Sequence, residues 1–345
     1  MDTLMGFAEA IPLPVVIIGD DERIVVANDP AMKLLGSVEI GRHYITALRQ
    51  PALLDAIEQT FKDRKPTASR YLGGEAGRDT TWAVSVAPTS AKDRLSIVLT
   101  FEDVTAMETA GQMRRDFVAN VSHELRTPLT ALLGFIETLG GAAKDDPQAQ
   151  RKFLGIMEKE ASRMSRLVED LLSLSRVEQD ERLRPTETVD LCSVVRSSAA
   201  ALEPVARARD STINMLLPDE QMMIPGDTDQ LRQVFTNLIE NAVKYGKDCG
   251  HVTVRLSVSD EESVLLGPGV RVDVIDDGEG IPSFHIPRLT ERFYRADSHR
   301  SRALGGTGLG LAIVKHIVNR HRGRLRIKSE KGKGSQFSII LPVTP

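Results

Sequence analysis

The sequence predicts an α+β chain of three successive domains: a small α/β unit over residues 1–106, an antiparallel helical hairpin over 107–182, and an α/β sandwich over 183–345. Three observations lead there. Short β-branched runs separated by turn residues fill the first segment. A long, charged segment follows, with apolar residues spaced alternately by three and four. Helix-like and strand-like stretches then alternate to the C-terminus, with glycine-bearing segments between them. At 345 residues the chain exceeds one ordinary hydrophobic core, so two or three domains are expected.

In the first segment, Val15-Val-Ile-Ile18 follows Pro14 as a buried strand, Gly19-Asp-Asp-Glu-Arg23 supplies turn residues, and Ile24-Val-Val-Ala27 returns as the second strand of a hairpin. A helix is expected over 29–35, and two further strands over 81–88 and 94–101. A strand pair, short helices and a second strand pair ending at Asp103-Val-Thr105 resemble a PAS sensor domain. His43 is the only histidine before residue 107 and is open to two readings, a haem ligand or a helix-end histidine.

In the second segment Val118, Val121, Leu125, Pro128, Leu132, Phe135 and Leu139 form a heptad seam. Gly140-Gly141 ends that helix, Lys144-Asp-Asp-Pro147 reverses the chain, and a second helix carries Ile156, Met157, Met164, Leu167, Leu171 and Leu174. Two such helices cannot bury their stripes alone, so a homodimer forming a four-helix bundle is expected. With Val118 at heptad position a, His123 falls at f and points to solvent. Pro128 should bend or loosen the helix just after it.

In the third segment, strands are expected over 252–258 and 270–275, with a terminal hairpin over 324–327 and 336–341, making an antiparallel sheet layered on helices. Asp227 should cap a helix, with Gln230 completing a capping box. Asn237 and Asn241 then share one face of that helix, and neutral amide oxygens suit Mg²⁺ carried by a triphosphate. Lys244 lies one turn further on, within reach of a phosphate, and Tyr245 can line a base pocket. Glu240 falls on a different face. Asp276 ends a buried strand, and Gly278 and Gly280 let the backbone turn sharply after it. Gly306, Thr307, Gly308, Leu309 and Gly310 precede a helix over 311–320, a phosphate cradle of backbone N–H groups.

Taken together, these motifs are similar to those of sensor histidine kinases. Phe117-Val-Ala-Asn-Val-Ser-His-Glu-Leu-Arg-Thr-Pro-Leu129 resembles the phospho-acceptor box. Asn237 to Tyr245 resembles the N box, Val274-Ile-Asp-Asp-Gly-Glu-Gly-Ile281 the G1 box, Glu291-Arg-Phe-Tyr-Arg295 the F box, and the glycine run before residue 311 the G2 box. The family often has a second Phe where this chain has Thr290. The resemblance implies that ATP, with Mg²⁺ held mainly by Asn241 and supported by Asn237, phosphorylates His123. Glu124 would accept the other ring N–H, Asp276 would receive the adenine amine, Arg292 and Arg295 would neutralise phosphate charge, and residues 296–304 would form a lid. A response regulator is the implied partner, and Thr127 the residue implied for a phosphatase activity on it. Within the family, one PAS domain joined directly to this hairpin is similar to phosphate-regulon sensor kinases.

Two other readings compete. Related gyrase, mismatch-repair and chaperone ATPases carry a Glu base four residues before the metal-binding Asn, where this chain has Asn237, and they lack the His box. A nucleotide-binding dimeric scaffold without kinase activity would need decayed motifs, and every position is filled.

Bulk composition agrees. Hydrophobic residues make up 41% and charged residues 27%, as in soluble globular proteins. A net charge of -4 argues against general nucleic-acid binding. Cys192 and Cys249 have no C-x-x-C spacing, which points to a reducing compartment, no zinc site and two small buried hydrophobes. No apolar run approaches the roughly 18 residues of a membrane span, and the stretch 12–19 is short for a signal-peptide core. A cytoplasmic location is therefore expected, and a membrane-anchored part N-terminal to this chain is left open.

Overall fold

A computed structural model describes residues 2–36, 38–75, 78–91, 94–181, 183–262, 265, 267–297 and 306–343. The chain divides into two compact units, Met1–Ala119 and Asn120–Pro345.

The first unit is a five-stranded antiparallel sheet with order β2-β1-β5-β4-β3. Its strands are β1 (Val15–Ile18), β2 (Ile24–Ala27), β3 (Thr67–Glu75), β4 (Arg78–Ala91) and β5 (Arg94–Asp103). Helices α1 (Asp2–Glu9), α2 (Asp29–Leu35) and α3 (Pro51–Asp63) surround it. The core gathers Val16, Ile18, Tyr44, Leu53, Ile57, Leu99 and Phe101. Asn28 is fully buried and hydrogen-bonded through both ends of its amide. Its Oδ1 accepts from Val15 N and Ala31 N, while Nδ2 donates to the carbonyls of Ala8, Ile11 and Leu13. One side chain thus caps α2 and ties α1 to the first hairpin, which a half-satisfied buried amide could not do without cost. His43 caps a short 3-10 turn: Nδ1 accepts from Ile45 N and Nε2 pairs with Glu22 Oε2 at 3.0 Å. Both ring nitrogens are engaged, in keeping with the reading of His43 as a helix-end histidine.

The second unit begins within α4 (Thr105–Gly140), which turns back through residues 141–146 into α5 (Pro147–Asp180). Asp146 caps α5 by accepting from the amides of Gln148 and Ala149. The helix runs unbroken through Pro128, whose ring is buried. Heptad residues Val121, Leu125, Leu132, Phe135 and Leu139 are half-buried, and Phe135 stacks on Phe153 of α5 at 5.3 Å. Val118 departs from the expected seam and is 58% exposed. A second apolar stripe, which the heptad reading does not separate, leaves Leu129, Leu133 and Ile136 exposed on α4 and Leu154, Val168 and Leu172 on α5.

The sandwich that follows is a five-stranded sheet of order β11-β12-β10-β9-β7, covered on one face by helices. Its strands are β7 (Thr212–Leu216), β9 (His251–Glu262), β10 (Gly267–Asp276), β11 (Arg324–Glu330) and β12 (Gly334–Pro342). The helices are α6 (Leu191–Arg207), α7 (Thr228–Tyr245) and α8 (Gly310–Arg320). A separate pair, β6 (Thr188–Asp190) and β8 (Met223–Pro225), lies beside them. The sheet is mixed rather than antiparallel, because β7 pairs in parallel with β9 across the intervening α7. Val270, Val272 and Val274 face the helices, while Arg271 and Asp273 face outward, following the two-residue period of a strand. Asp227 caps α7 as expected, accepting from Asp229 N and Gln230 N. Gln230 does not complete the capping box: Asp227 N donates to His321 Nε2 instead, and Gln230 Oε1 is buried without a hydrogen-bond partner among the described residues. Cys192 is buried, but Cys249 is exposed at a positive φ of 58°, so only one cysteine behaves as a core residue.

Candidate active site

His123 projects to solvent from α4, as its heptad position requires. One turn on, Thr127 lies on the same side, its hydroxyl donating back to the His123 carbonyl at 3.2 Å. Glu124 has partners that the sequence does not show. Its carboxylate turns toward α5, where Oε2 accepts from the Arg163 guanidinium at 2.6 Å and from Arg295 at 3.3 Å. These are charge-assisted bonds between half-buried groups, stronger than an exposed ion pair.

The nucleotide motifs converge around α7. Asn237 and Asn241 are both half-buried on it, and Asn237 Nδ2 donates to the Gly310 carbonyl at 3.4 Å, joining the N box to the start of α8. The donor set fits Mg²⁺ brought in by a triphosphate: neutral amide oxygens on one helix face, with no cluster of three or more acidic, His or Cys residues among the described residues. Lys244 is not a free ammonium, since it pairs with Glu240 one turn back at 2.9 Å. Glu240 therefore acts on the same side of α7 as Lys244. Tyr245 closes the helix and is half-buried.

Asp276 ends β10 and its carboxyl is driven upward from the usual carboxylate range by burial, against hydrogen bonds from Gly278 N and Ser335. Gly280 sits at φ +69°, and a Cβ there would lie 2.0 Å from the Glu330 carbonyl oxygen, so only glycine fits.

Residues 298–305, which hold most of the expected lid and the first glycine of the G2 run, lie outside the described residues. At their edges the geometry is defined. Phe293, at φ +64°, donates its N–H to the Gly308 carbonyl at 2.9 Å. Gly308, at φ +76°, has no room for a Cβ against the Phe293 backbone. Arg295 is only 8% exposed at its side chain and bridges Glu124 to the Gly306 carbonyl, the latter at 2.6 Å, while its buried Nε has no hydrogen-bond partner among the described residues. Arg292 reaches Glu178 of α5 at 2.5 Å. The Thr307 hydroxyl donates to Asp170 Oδ2 on α5 at 2.6 Å and accepts from Leu309 N. Burial, opposed by that Thr307 bond and reinforced by Glu240, raises the Asp170 carboxyl above its ordinary range.

The structure thus links Glu124, the sequence neighbour of His123, through Arg295 to Gly306, and Asn237 to Gly310, while Asp276 bonds to Gly278 and Ser335. It ties Arg292, Thr307 and Lys244 to carboxylates instead. Arg163, Asp170 and Glu178, which bond to Glu124, Thr307 and Arg292, are residues that sequence reasoning did not single out, nor did it single out Glu181. Glu181 accepts from Asn319 and pairs with His316 of α8 at 2.9 Å. A signal existed: Arg163 and Asp170 continue the seven-residue repeat of Ile156 and Val177, so they are charged residues set within the apolar side of α5.

Comparisons agree with this arrangement. Residues 113–180 match the His Kinase A (phospho-acceptor) domain, and residues 226–345 match the histidine kinase-, DNA gyrase B- and HSP90-like ATPase family. A "Sensor protein kinase WalK" of Staphylococcus aureus is 34% identical over 328 residues, covering 93% of this chain and 76% of that protein. The "Phosphate regulon sensor protein PhoR" of Pseudomonas aeruginosa is 43% identical over 239 residues, 68% of this chain and 52% of that protein. The chain spans about half the length of several curated relatives it matches. A crystal structure of the histidine kinase ThkA in complex with the response regulator protein TrrA shares the fold, at TM-score 0.54 and 21% identity, over 99% of this chain and 98% of that one. With an acceptor helix, an N-box helix and a glycine-gated phosphate loop in one unit, and a relative covered over three quarters of its length, this chain belongs to the sensor histidine kinases.

Proposed function

We propose that this chain transfers the γ-phosphoryl group of ATP to His123 and then to an aspartate of a response regulator. One observation carries the reading: Arg295 links the Gly306 carbonyl of the phosphate loop to Glu124, the residue beside the exposed imidazole. The neutral imidazole of His123 supplies a lone pair to the γ-phosphorus, the bond to the β-phosphate oxygen breaks, and ADP leaves. Glu124 lies next in sequence and would buffer the positive charge that develops on the ring. Arg295 has a spare buried donor at Nε to offer a phosphate oxygen. Asn241, with Asn237, would hold Mg²⁺, which when bound neutralises triphosphate charge. Asp276, kept buried, would accept the adenine amine, with Tyr245 beside the base and Lys244 near the phosphates. Gly306, Thr307, Gly308, Leu309 and Gly310 would present backbone N–H groups to the phosphates at the start of α8.

The exposed apolar stripes on α4 and α5 support a homodimer, because a second copy would bury them as a four-helix bundle. The five-stranded sheet at residues 1–106 supports a PAS-like sensor, and Thr127 beside His123 supports a phosphatase activity on the regulator. No helix among the described residues is long and apolar enough to cross a membrane, and a cytoplasmic location for this portion agrees with that. The test is incubation with Mg-ATP labelled on the γ-phosphate. Wild type should acquire acid-labile label and pass it to a response regulator; Asn241→Ala should not be labelled. Labelling that persists without the metal-binding amide overturns the pocket assignment.

A further inference from the structure

We infer that Arg163 is a positioning residue for the phosphorylation of His123, acting by holding the Glu124 carboxylate through the reaction. The inference rests on the reading that His123 is the acceptor. Arg163 is 12% exposed, on α5, with one guanidinium nitrogen 2.6 Å from Glu124 Oε2 and the other 3.8 Å from Glu160 Oε2. Glu160, three residues back on the same helix, adds a longer ion pair to the other guanidinium nitrogen. Glu124 has a second cation, Arg295, but the two differ in what they can do. Arg295 belongs to the nucleotide-binding part and also holds the Gly306 carbonyl; if it turns to the triphosphate, it leaves Glu124. Arg163 belongs to the same hairpin as Glu124 and has no second task in the pocket. It therefore keeps the carboxylate tethered within the hairpin, one residue from the imidazole, at the moment Arg295 departs, and a carboxylate left to swing costs rate through lost geometry rather than lost binding.

The experiment is single-turnover autophosphorylation of the full chain across ATP concentrations. Wild type is compared with Arg163→Ala, Arg163→Lys, Glu124→Gln and the Arg163→Ala/Glu124→Gln double variant. Arg163→Ala should lower the maximal rate by about tenfold to a hundredfold, with half-saturating ATP unchanged within about twofold. Arg163→Lys should recover part of the loss, since an ammonium reaches one carboxylate but not two. In the Glu124→Gln background, Arg163→Ala should add little, because a residue that acts only through Glu124 has nothing left to position. Equal, additive losses in both backgrounds, or an unchanged maximal rate, overturn the inference. If wild type itself forms no phosphohistidine, the failure belongs to the proposed function instead.

Discussion

Two aspartates three residues apart on β10 point to opposite faces of the sheet, and replacing the outer one separates stability from nucleotide binding. Asp273 is only 2% exposed at its side chain. Burial alone would raise its carboxyl, but hydrogen bonds from Ser338, Arg271, Gln336 and Arg255 lower it from 3.8 to about 2. Ser338 Oγ donates at 2.6 Å, Arg271 Nε at 2.8 Å and Arg255 at 3.0 Å, clamping β9, β10 and β12 together. The gap between 3.8 and about 2 corresponds to about 2 kcal/mol of folding free energy. For a domain of this size, Asp273→Asn should lower the melting temperature by about 4–8 °C. The folded carboxyl is the more acidic one, so this stabilisation is complete above pH 4 and lost as pH falls toward 2. Thermal unfolding of wild type and Asp273→Asn at a series of pH values reads both effects. The two curves should converge on acidification, and ATP affinity of the folded variant should stay at the wild-type value. Equal melting temperatures near neutral pH, or a parallel offset persisting to pH 2, would refute the reasoning.

Other outcomes follow from the same geometry. Asp276→Ala should leave the fold intact and weaken ATP binding by about tenfold or more, read by calorimetry, since it removes a buried acceptor from the base pocket. Gly280→Ala should destabilise the sandwich by more than about 2 kcal/mol in urea unfolding, because its Cβ would meet the Glu330 backbone and its φ is +69°. Asp170→Ala frees the Thr307 hydroxyl for a phosphate oxygen; ATP should then bind tighter by up to about tenfold in an equilibrium titration, the worth of one charge-assisted hydrogen bond. Thr127→Ala should spare autophosphorylation and slow loss of label from a phosphorylated regulator.

The motif-bearing parts of this chain were legible in its sequence because their chemistry is local. An Asn pair one turn apart, glycines at positive φ and a histidine opposite an apolar seam each announce themselves within a few residues. The parallel pairing of β7 with β9 was not legible: it depends on where α7 sends the chain, and the five residues of β7 carry only modest burial. Nor were α3 and α6, whose apolar residues fit several periods. The ties made by Asp170, Glu178 and Arg163 were hidden for a different reason. A charged residue on a long helix reads as a solvated face until a second domain is known to lie against it. The same limit hid the partners of Glu124, whose neighbour in sequence is His123 but whose hydrogen-bond partners lie 39 and 171 residues away.

The central claim is that phosphate from ATP comes to rest on one imidazole, which peptide mapping by mass spectrometry under neutral conditions reads directly. After incubation with Mg-ATP, the peptide containing residue 123 should carry a single acid-sensitive phosphoryl group on that ring, absent from His123→Ala. Phosphate found on any other residue, or a modified His123→Ala protein, would contradict the account.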